Sequence, residues 1–489
     1  HIYLPQGHNL LSSQRLTHFQ FSISHPSTQF FQMSFSRTLT TSQLFPVHDK
    51  SKLEEEEAYI LWETIREEEH VSSSLEKLMV DSEFTCDQAD QLLELLRTCC
   101  SSMEWIEFAP VHNYDFDHND NDCTLCPGWY HFVSHLHRVP GLTRLSLWEV
   151  ETAGACPCPA LSNLFGAPQS ATSSITQLDL YVTSSSLMKG LPQALQQAPQ
   201  LRELSIIVME NSSRSTLSNQ HASCSFLVQA LQPCPDLTHL DIHLTEGTMS
   251  DGSMTRLLEQ HSQLQRLNIV NNDEEVEACS EDHDTSCHIH TTTTLLVEAL
   301  VMHPNLMDVS LPFNSHQAKL ALGSLLEVMQ GAPDSVESRL KSVDFPKLQI
   351  EKTPQEGLHV KMTKLESSNA HDSLLYAHTL TLLPQFSPVT KLSLYRIQLP
   401  NMYKHLQRLF QSPHCHIQEL SFSAASRWQE VAELEHLRAS LDGYTKMTRL
   451  EIQSCGSLSG VEQLCSSSRL RHVTLTASHH LPWQEATQV

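Results

Sequence analysis

Short runs in which apolar and polar residues alternate recur along the chain, and four of them share one spelling. Pro140-Gly-Leu-Thr-Arg-Leu-Ser-Leu147 returns as Pro199-Gln-Leu-Arg-Glu-Leu-Ser-Ile206, Pro235-Asp-Leu-Thr-His-Leu-Asp-Ile242 and Pro304-Asn-Leu-Met-Asp-Val-Ser-Leu311. The alternating end of each copy predicts a β-strand with one buried face, and its return at intervals of tens of residues predicts a stacked repeat. Looser versions occur at 75–80, 103–108, 175–180, 264–269, 340–345, 389–394, 417–422, 447–452 and 470–475, and two candidates lie earlier, at 16–21 and 30–35. From Leu142 onward the steps between successive strands run from 23 to 49 residues. Between strands the apolar period changes to i, i+3 or i+4, as at Leu191/Leu195, Leu227/Leu231, Leu296/Leu300, Leu406/Leu409 and Leu437/Leu441, which predicts one amphipathic helix per unit. A further helix is expected over 52–69, its apolar group flanked by acidic runs at 54–57 and 67–69.

Two segments break the period. Residues 271–294 are rich in Asp and Glu and read as an inserted acidic loop, and 346–388 form a second insertion with a degenerate unit near 360–365. The expected organisation is an N-terminal segment over 1–70, a degenerate repeat or cap, then a solenoid over 71–478 with those two insertions, and a tail over 479–489. One unit buries only three or four aliphatic side chains at about 2 kcal/mol each, too little to fold alone, so neighbouring units must supply the rest.

The L-x-x-L-x-L strand with a helix in every unit resembles the leucine-rich repeats. The alternation of shorter and longer units with full helices is similar to the ribonuclease-inhibitor-like subclass. That resemblance implies an α/β solenoid, a horseshoe with a parallel sheet on its concave side and helices on its convex side. It also implies a protein-binding, non-enzymatic role: substrate receptor of a ubiquitin ligase, as in F-box/LRR proteins, or alternatively the ligand-sensing region of an NLR-type immune receptor. Neither an F-box nor a nucleotide-binding motif is present in this sequence.

Charge narrows the partners. With 56 Asp and Glu against 31 Lys and Arg, the net charge of −25 repels phosphate backbones and anionic lipid, so nucleic acid and membrane are not expected. No cationic leader or apolar span is visible, and a cytoplasmic location is expected. The 14 cysteines sit in a long periodic chain rather than a short disulfide framework, and Cys99, Cys234 and Cys465 are expected as buried thiols.

Residues alternating with the buried leucines point away from the helices. The central inter-leucine position is polar in every unit: Glu107, Ser146, Asp179, Ser205, Asp241, Asn268, Ser310, Asp344, Ser393, Ser421, Glu451 and Thr474. The next position includes Trp148, Tyr181, His243 and Tyr395. Aromatic side chains of this kind dominate interface hot spots, so Trp148, Tyr181, His243, Tyr395, Asp179 and Asp241 are the expected partner-binding residues. Asp179, Asp241, Asp344 and Glu451 would favour a partner with a basic surface.

Chemistry of another class has one candidate, a zinc enzyme. Cys123-x2-Cys126-x4-His131-x3-His135 resembles the start of a zinc knuckle, whose fourth ligand would fall where this chain has Leu136. The acidic run 115–122 has Asp120 where a calcium loop needs Gly, and Cys279, His283, Cys287, His288 and His290 form a looser group. Phosphate-loop, dinucleotide-binding, serine-hydrolase and zincin motifs are missing, and no cofactor is expected.

Overall fold

The computed structural model describes residues 38–45, 61–67, 75–81, 84–108, 127–148, 158–166, 174–183, 191–209, 230–244, 252–271, 283–330, 339–353, 357–363, 370–386, 388–395, 402–428, 431–455 and 470–477. The chain divides into two compact units, His1–Ser36 and Arg37–Val489, and every described residue belongs to the second. The strand candidates at 16–21 and 30–35 lie outside the described residues.

Among the described residues one sheet contains 16 strands in sequence order. They are β1 (Thr38–Thr40), β2 (Lys77–Val80), β3 (Trp105–Phe108), β4 (Arg144–Trp148), β5 (Gln177–Thr183), β6 (Glu203–Met209), β7 (His239–Leu244) and β8 (Arg266–Asn271). Then follow β9 (Asp308–Ser310), β10 (Ser342–Phe345), β11 (Leu348–Lys352), β12 (Leu358–Thr363), β13 (Val389–Tyr395), β14 (Glu419–Trp428), β15 (Arg449–Cys455) and β16 (His472–Ala477). All pairs are parallel except the two made by β11, which runs against β10 and β12. The fold is a leucine-rich-repeat solenoid of mixed α/β class, its long sheet open rather than closed into a barrel. β1 carries the sheet into the segment that the sequence set apart as N-terminal.

The alternation explains the core. Leu145 and Leu147, Leu178 and Leu180, Leu204 and Ile206, Leu240 and Ile242, and Leu267 and Ile269 are all buried. Successive pairs stack in register, each worth about 2 kcal/mol per side chain removed from water. Just before each strand one carbonyl receives two N–H groups of the next unit. Glu104 O takes Thr143 N and Arg144 N at 3.0 and 2.9 Å, and Thr143 O takes Thr176 N and Gln177 N at 2.9 and 3.0 Å. The pattern recurs at Thr176, Arg202, Thr238, Gln265 and Met307, and it sets the register unit by unit.

Helices cover the apolar side. Cys86–Cys99 starts with a capping box, Gln88 N donating to Thr85 Oγ1 at 3.3 Å and Thr85 N to Gln88 Oε1 at 2.8 Å, and buries Leu92, Leu93 and Leu96. Pro127–His135 begins close against Cys86–Cys99: a Cβ on Gly128 would collide with the Phe84 carbonyl, so only glycine fits there. At the helix end, three residues before the first buried apolar residue of the next strand segment, a side chain turns inward. Cys100, Ala198, Cys234, His261, His303 and Tyr444 hold this position, and all are buried. Burial pushes the Cys100 and Cys234 thiols up to about 12. Cys99, expected as the buried thiol, is half-exposed at the helix end while its neighbour Cys100 takes the interior place; Cys465 lies outside the described residues.

One expectation changes. Within the acidic insertion, residues from His283 onward form the helix His283–Met302, because Leu296, Val297 and Leu300 find a buried face. The second insertion holds β11, β12, which overlaps the degenerate unit near 360–365, and the helix Ala370–Leu382. A two-residue turn at Pro346 and Lys347 reverses the chain, so no helix separates β10 from β11. Lys347 Nζ and Ser315 Oγ both reach Asp372 Oδ1, at 2.8 and 2.6 Å, and Asp372 is buried. The reversal is thereby tied to the helices on either side of it, Ser315–Gln330 and Ala370–Leu382.

Candidate partner-binding face

The sheet face turned away from the helices is built of three rows, each a line of register partners. The central row runs Thr40, Met79, Glu107, Ser146, Asp179, Ser205, Asp241, Asn268, Ser310, Asp344. It crosses the hairpin through Gln349 and Lys361 and continues as Ser393, Ser421, Glu451, Thr474. Every residue that the sequence placed at the inter-leucine position falls in this line. Gln349 and Lys361 were missed because their strands carry no preceding helix.

The row two residues later contains, on β4 to β8, Trp148, Tyr181, Ile207, His243 and Val270 as successive register partners. On β12 to β16 the corresponding line is Thr363, Tyr395, Ser423, Gln453 and Thr476. Five of the six candidate residues thus share four neighbouring strands. Tyr395 stands eight strands from Tyr181, roughly 38 Å along the sheet at about 4.8 Å per strand.

The row two residues earlier was not read from the sequence, although the same alternation puts it on this face. It holds Lys77, Trp105, Arg144, Gln177, Glu203, His239, Arg266 and Asp308, and beyond the hairpin His359, Lys391, Glu419, Arg449 and His472. Neighbours of opposite sign meet along it, Arg266 with Asp308 at 3.8 Å and Lys391 with Glu419 at 3.7 Å.

On β2 to β5 these rows knit into one cluster. Lys77 Nζ lies 3.6 Å and the Arg144 guanidinium carbon 4.3 Å from the centre of the Trp105 ring, one from each flanking strand. Lys77 also ion-pairs with Glu107. Trp105 Nε1 donates to Ser146 Oγ at 3.1 Å, and Ser146 Oγ donates to Asp179 Oδ2 at 2.8 Å. Arg144 completes the set by donating from Nε and Nη2 to Asp179 Oδ2, at 3.0 and 2.9 Å. Cation–π contacts of this type contribute about 0.5–2 kcal/mol each, and exposed ion pairs about 1 kcal/mol or less. The cluster therefore matters more for holding its side chains in one arrangement than for stability. Burial pushes the neighbouring Tyr181 hydroxyl up, and the carboxylates of Asp179 and Glu107 push the same way.

Asp241 accepts from Asn268 Nδ2 at 2.7 Å, with His243 Nε2 at 3.1 Å from the same oxygen. Across the hairpin, Lys361 Nζ stands 5.4 Å from the Tyr395 ring centre. His359 Nε2 meets Ser393 Oγ at 2.8 Å, and burial, with Lys391 and Lys361 beside it, pushes this imidazole down to about 4. Burial raises Asp344, and Lys361 acts against that rise. Glu451 accepts from Ser421 at 3.2 Å and from Gln453 at 2.9 Å.

The face carries a small acidic excess, six cations against nine carboxylates. Lys77, Arg144, Arg266, Lys361, Lys391 and Arg449 stand against Glu107, Asp179, Glu203, Asp241, Asp308, Asp344, Glu351, Glu419 and Glu451. Most of the net charge of −25 therefore lies off these rows.

Of the zinc candidates, His131 and His135 lie side by side, their ring centres 4.3 Å apart. His131 Nε2 meets Asp90 Oδ1 at 2.9 Å, and His135 Nδ1 donates to the His131 carbonyl at 2.7 Å along the helix. Cys123 and Cys126 lie outside the described residues, as do the run 115–122 and Cys279. Among the described residues no group of three or more His, Cys, Asp or Glu is placed to hold a metal ion, and no helix is long and apolar enough to cross a membrane.

No family model and no curated protein matches the sequence. Among solved structures, the leucine-rich repeat-containing protein LegL7 from Legionella pneumophila is 12% identical over 80% of this chain and 88% of its own, with a TM-score of 0.30. Yeast Rad7, in its complex with Elc1, is 12% identical over 89% of this chain and 93% of its own, with a TM-score of 0.28. Superposition at that level adds no weight to the fold, which stands on strand order and register.

Proposed function

We propose that the chain is a non-enzymatic protein-interaction module that holds a partner protein on the sheet face over β3 to β8. The observation that carries this reading is the aromatic and aliphatic row Trp148, Tyr181, Ile207, His243, Val270, flanked by the preorganised Trp105–Arg144–Asp179 cluster. Bulky apolar side chains beside fixed polar groups make the usual hot-spot combination. Ser146, Ser205 and Asn268 between the rows are small enough to admit a partner's bulk. The central row, with five carboxylates against Lys361, favours basic groups on that partner. A cytoplasmic setting and the ribonuclease-inhibitor-like subclass complete the proposal. The specific role it supports first is substrate receptor of a ubiquitin ligase, with the ligand-sensing region of an immune receptor as the alternative.

The test is a quantitative pull-down from source cytosol, comparing the natural chain with a folded Trp148→Asp/Tyr181→Asp variant. Loss of one set of partners is expected, and ligase subunits or an immune signalling partner among the captured proteins would choose between the two roles. Identical partner lists would move the function off this face.

A further inference from the structure

On the sheet face Lys77, Arg144, Arg266 and Lys391 each meet a carboxylate. Arg408 does not. It lies on the helix Met402–Gln411, in the wall of an open cleft of about 640 Å³ between that helix and the end of Ala370–Leu382. His405, His414, His416 and Gln385 line the same cleft, and none of its lining residues is Asp or Glu. In a chain with 56 acidic residues against 31 Lys and Arg, such a surface is an exception that invites a ligand of opposite charge.

These donors are also unspent. Among the described residues the side chains of Arg408, His405, His414, His416 and Gln385 make no hydrogen bond or ion pair with protein groups. The segment bearing two of the histidines is nevertheless held in place. Lys446 Nζ, from the next unit, donates to the carbonyls of Cys415 and Pro413 at 2.7 and 3.3 Å, and the Tyr444 hydroxyl donates to the Ile417 carbonyl at 2.7 Å. A rigid wall of open donors loses little freedom when a ligand arrives.

The volume selects what the ligand must be. Leu380 and Leu409 close the cleft from below and are themselves buried, and the space above them falls in the range of about 300–1,000 Å³ that suits a small organic ligand or a few side chains. A free oxyanion would fill only a small part of it. We propose that the cleft binds an acidic peptide segment of a partner protein. One carboxylate would meet Arg408 and the imidazoles, and an adjacent side chain would lie against Thr381 and Pro384, the accessible part of the wall. This is a second site, formed near the starts of β13 and β14, and it does not depend on the face over β3 to β8.

Fluorescence polarisation on the full chain tests it, using a fluorescein-labelled peptide of alternating glutamate and leucine. Saturable binding is expected, weakened about tenfold or more by Arg408→Glu and by exchanging every glutamate of the peptide for glutamine. Binding should survive Trp148→Asp/Tyr181→Asp unchanged. Arg408 is exposed, so its variants should keep the fold; Arg408→Gln, which removes only the charge, provides the same reading if the reversal disturbs the helix. Equal binding of the two peptides, full binding by the Arg408 variants, or no saturable binding would overturn the proposal. Displacement of the peptide by an equal concentration of inorganic phosphate would identify an adventitious ion only, and would also overturn it.

Discussion

Strands β4 to β8 and strands β12 to β16 share a backbone plan and differ in what they present on it. Both keep buried aliphatic pairs in register, such as Leu178 and Leu180 in the first block and Leu392 and Leu394 in the second. Both place small or acidic residues on the central row, with Lys361 on β12 the exception. The third row separates them: Trp148, Tyr181, Ile207, His243 and Val270 in the first, Thr363, Tyr395, Ser423, Gln453 and Thr476 in the second. Since the core demands the same residues in both, the core cannot say what either block does. The freedom to differ lies on the outward rows, and an apolar stripe there is costly to leave in water unless something covers it.

The sharpest way to break this contrast is to place the same charge in both blocks. Tyr181→Asp is expected to weaken binding of the captured partner about 30-fold, a loss of about 2 kcal/mol, while Tyr395→Asp changes it less than about twofold. Calorimetric titration of both variants would measure this, and equal losses would erase the distinction. A second comparison uses the row that carries Trp105. Arg144→Ala removes both a cation–π contact and the charged partner of Asp179, leaving it Ser146, and should lower stability by about 1 kcal/mol in urea titrations. Lys391→Ala, its counterpart beyond the hairpin, loses only a 3.7 Å ion pair and should cost less than about 0.5 kcal/mol.

Acid should reveal the boundary between the blocks. His303 Nδ1 accepts Leu306 N at 3.1 Å while its Nε2 donates to the His261 carbonyl at 3.0 Å, an arrangement that only the neutral ring can make. Burial holds His261 and His303 below their ordinary value and takes His359 down to about 4. The unfolded chain therefore binds more protons below about pH 6.5, so stability is complete above that value and declines as pH falls toward the folded-state values. Amide exchange at about pH 7 and pH 5 should show protection lost first around β8, β9 and β12, with β3 to β5 and β15 following later. Uniform loss along the sheet would contradict it. The smallest effect expected is that of salt. Because face charges already meet partners inside the protein, raising ionic strength from about 50 to 500 mM should weaken partner binding only about two- to fivefold.

How much of this could be read in advance depended on where burial forces a choice. A parallel strand between helices must bury its leucines, so the inter-leucine residues from Glu107 to Thr474 could be aligned before any coordinates and fell in one register line. Of the hairpin only a degenerate unit near 360–365 was legible, because Leu348-Gln-Ile350 and Leu358-His-Val360-Lys-Met362 alternate correctly but lack the helical run that marks a unit. The helix from His283 escaped because its first residues are polar and its burial comes from neighbours the sequence does not display. Trp105 and Arg144 stood in plain alternation. Their pairing with Lys77 and Asp179 joins positions 28 and 35 residues apart, and only the register brings such positions together.

The hairpin has an arithmetic consequence for how such a chain changes length. Two reversals restore the original direction, so β12 leaves the sheet heading the same way as β10, and its residues stand in the same register: Ser342 opposite Glu351 opposite His359, Val343 opposite Ile350 opposite Val360. A deletion that joined Lys341 to His359 would put β12 in the place of β10 and leave every later unit facing as before. Inheritance can thus add or drop strands here in pairs, without the cost of rebuilding a whole repeat.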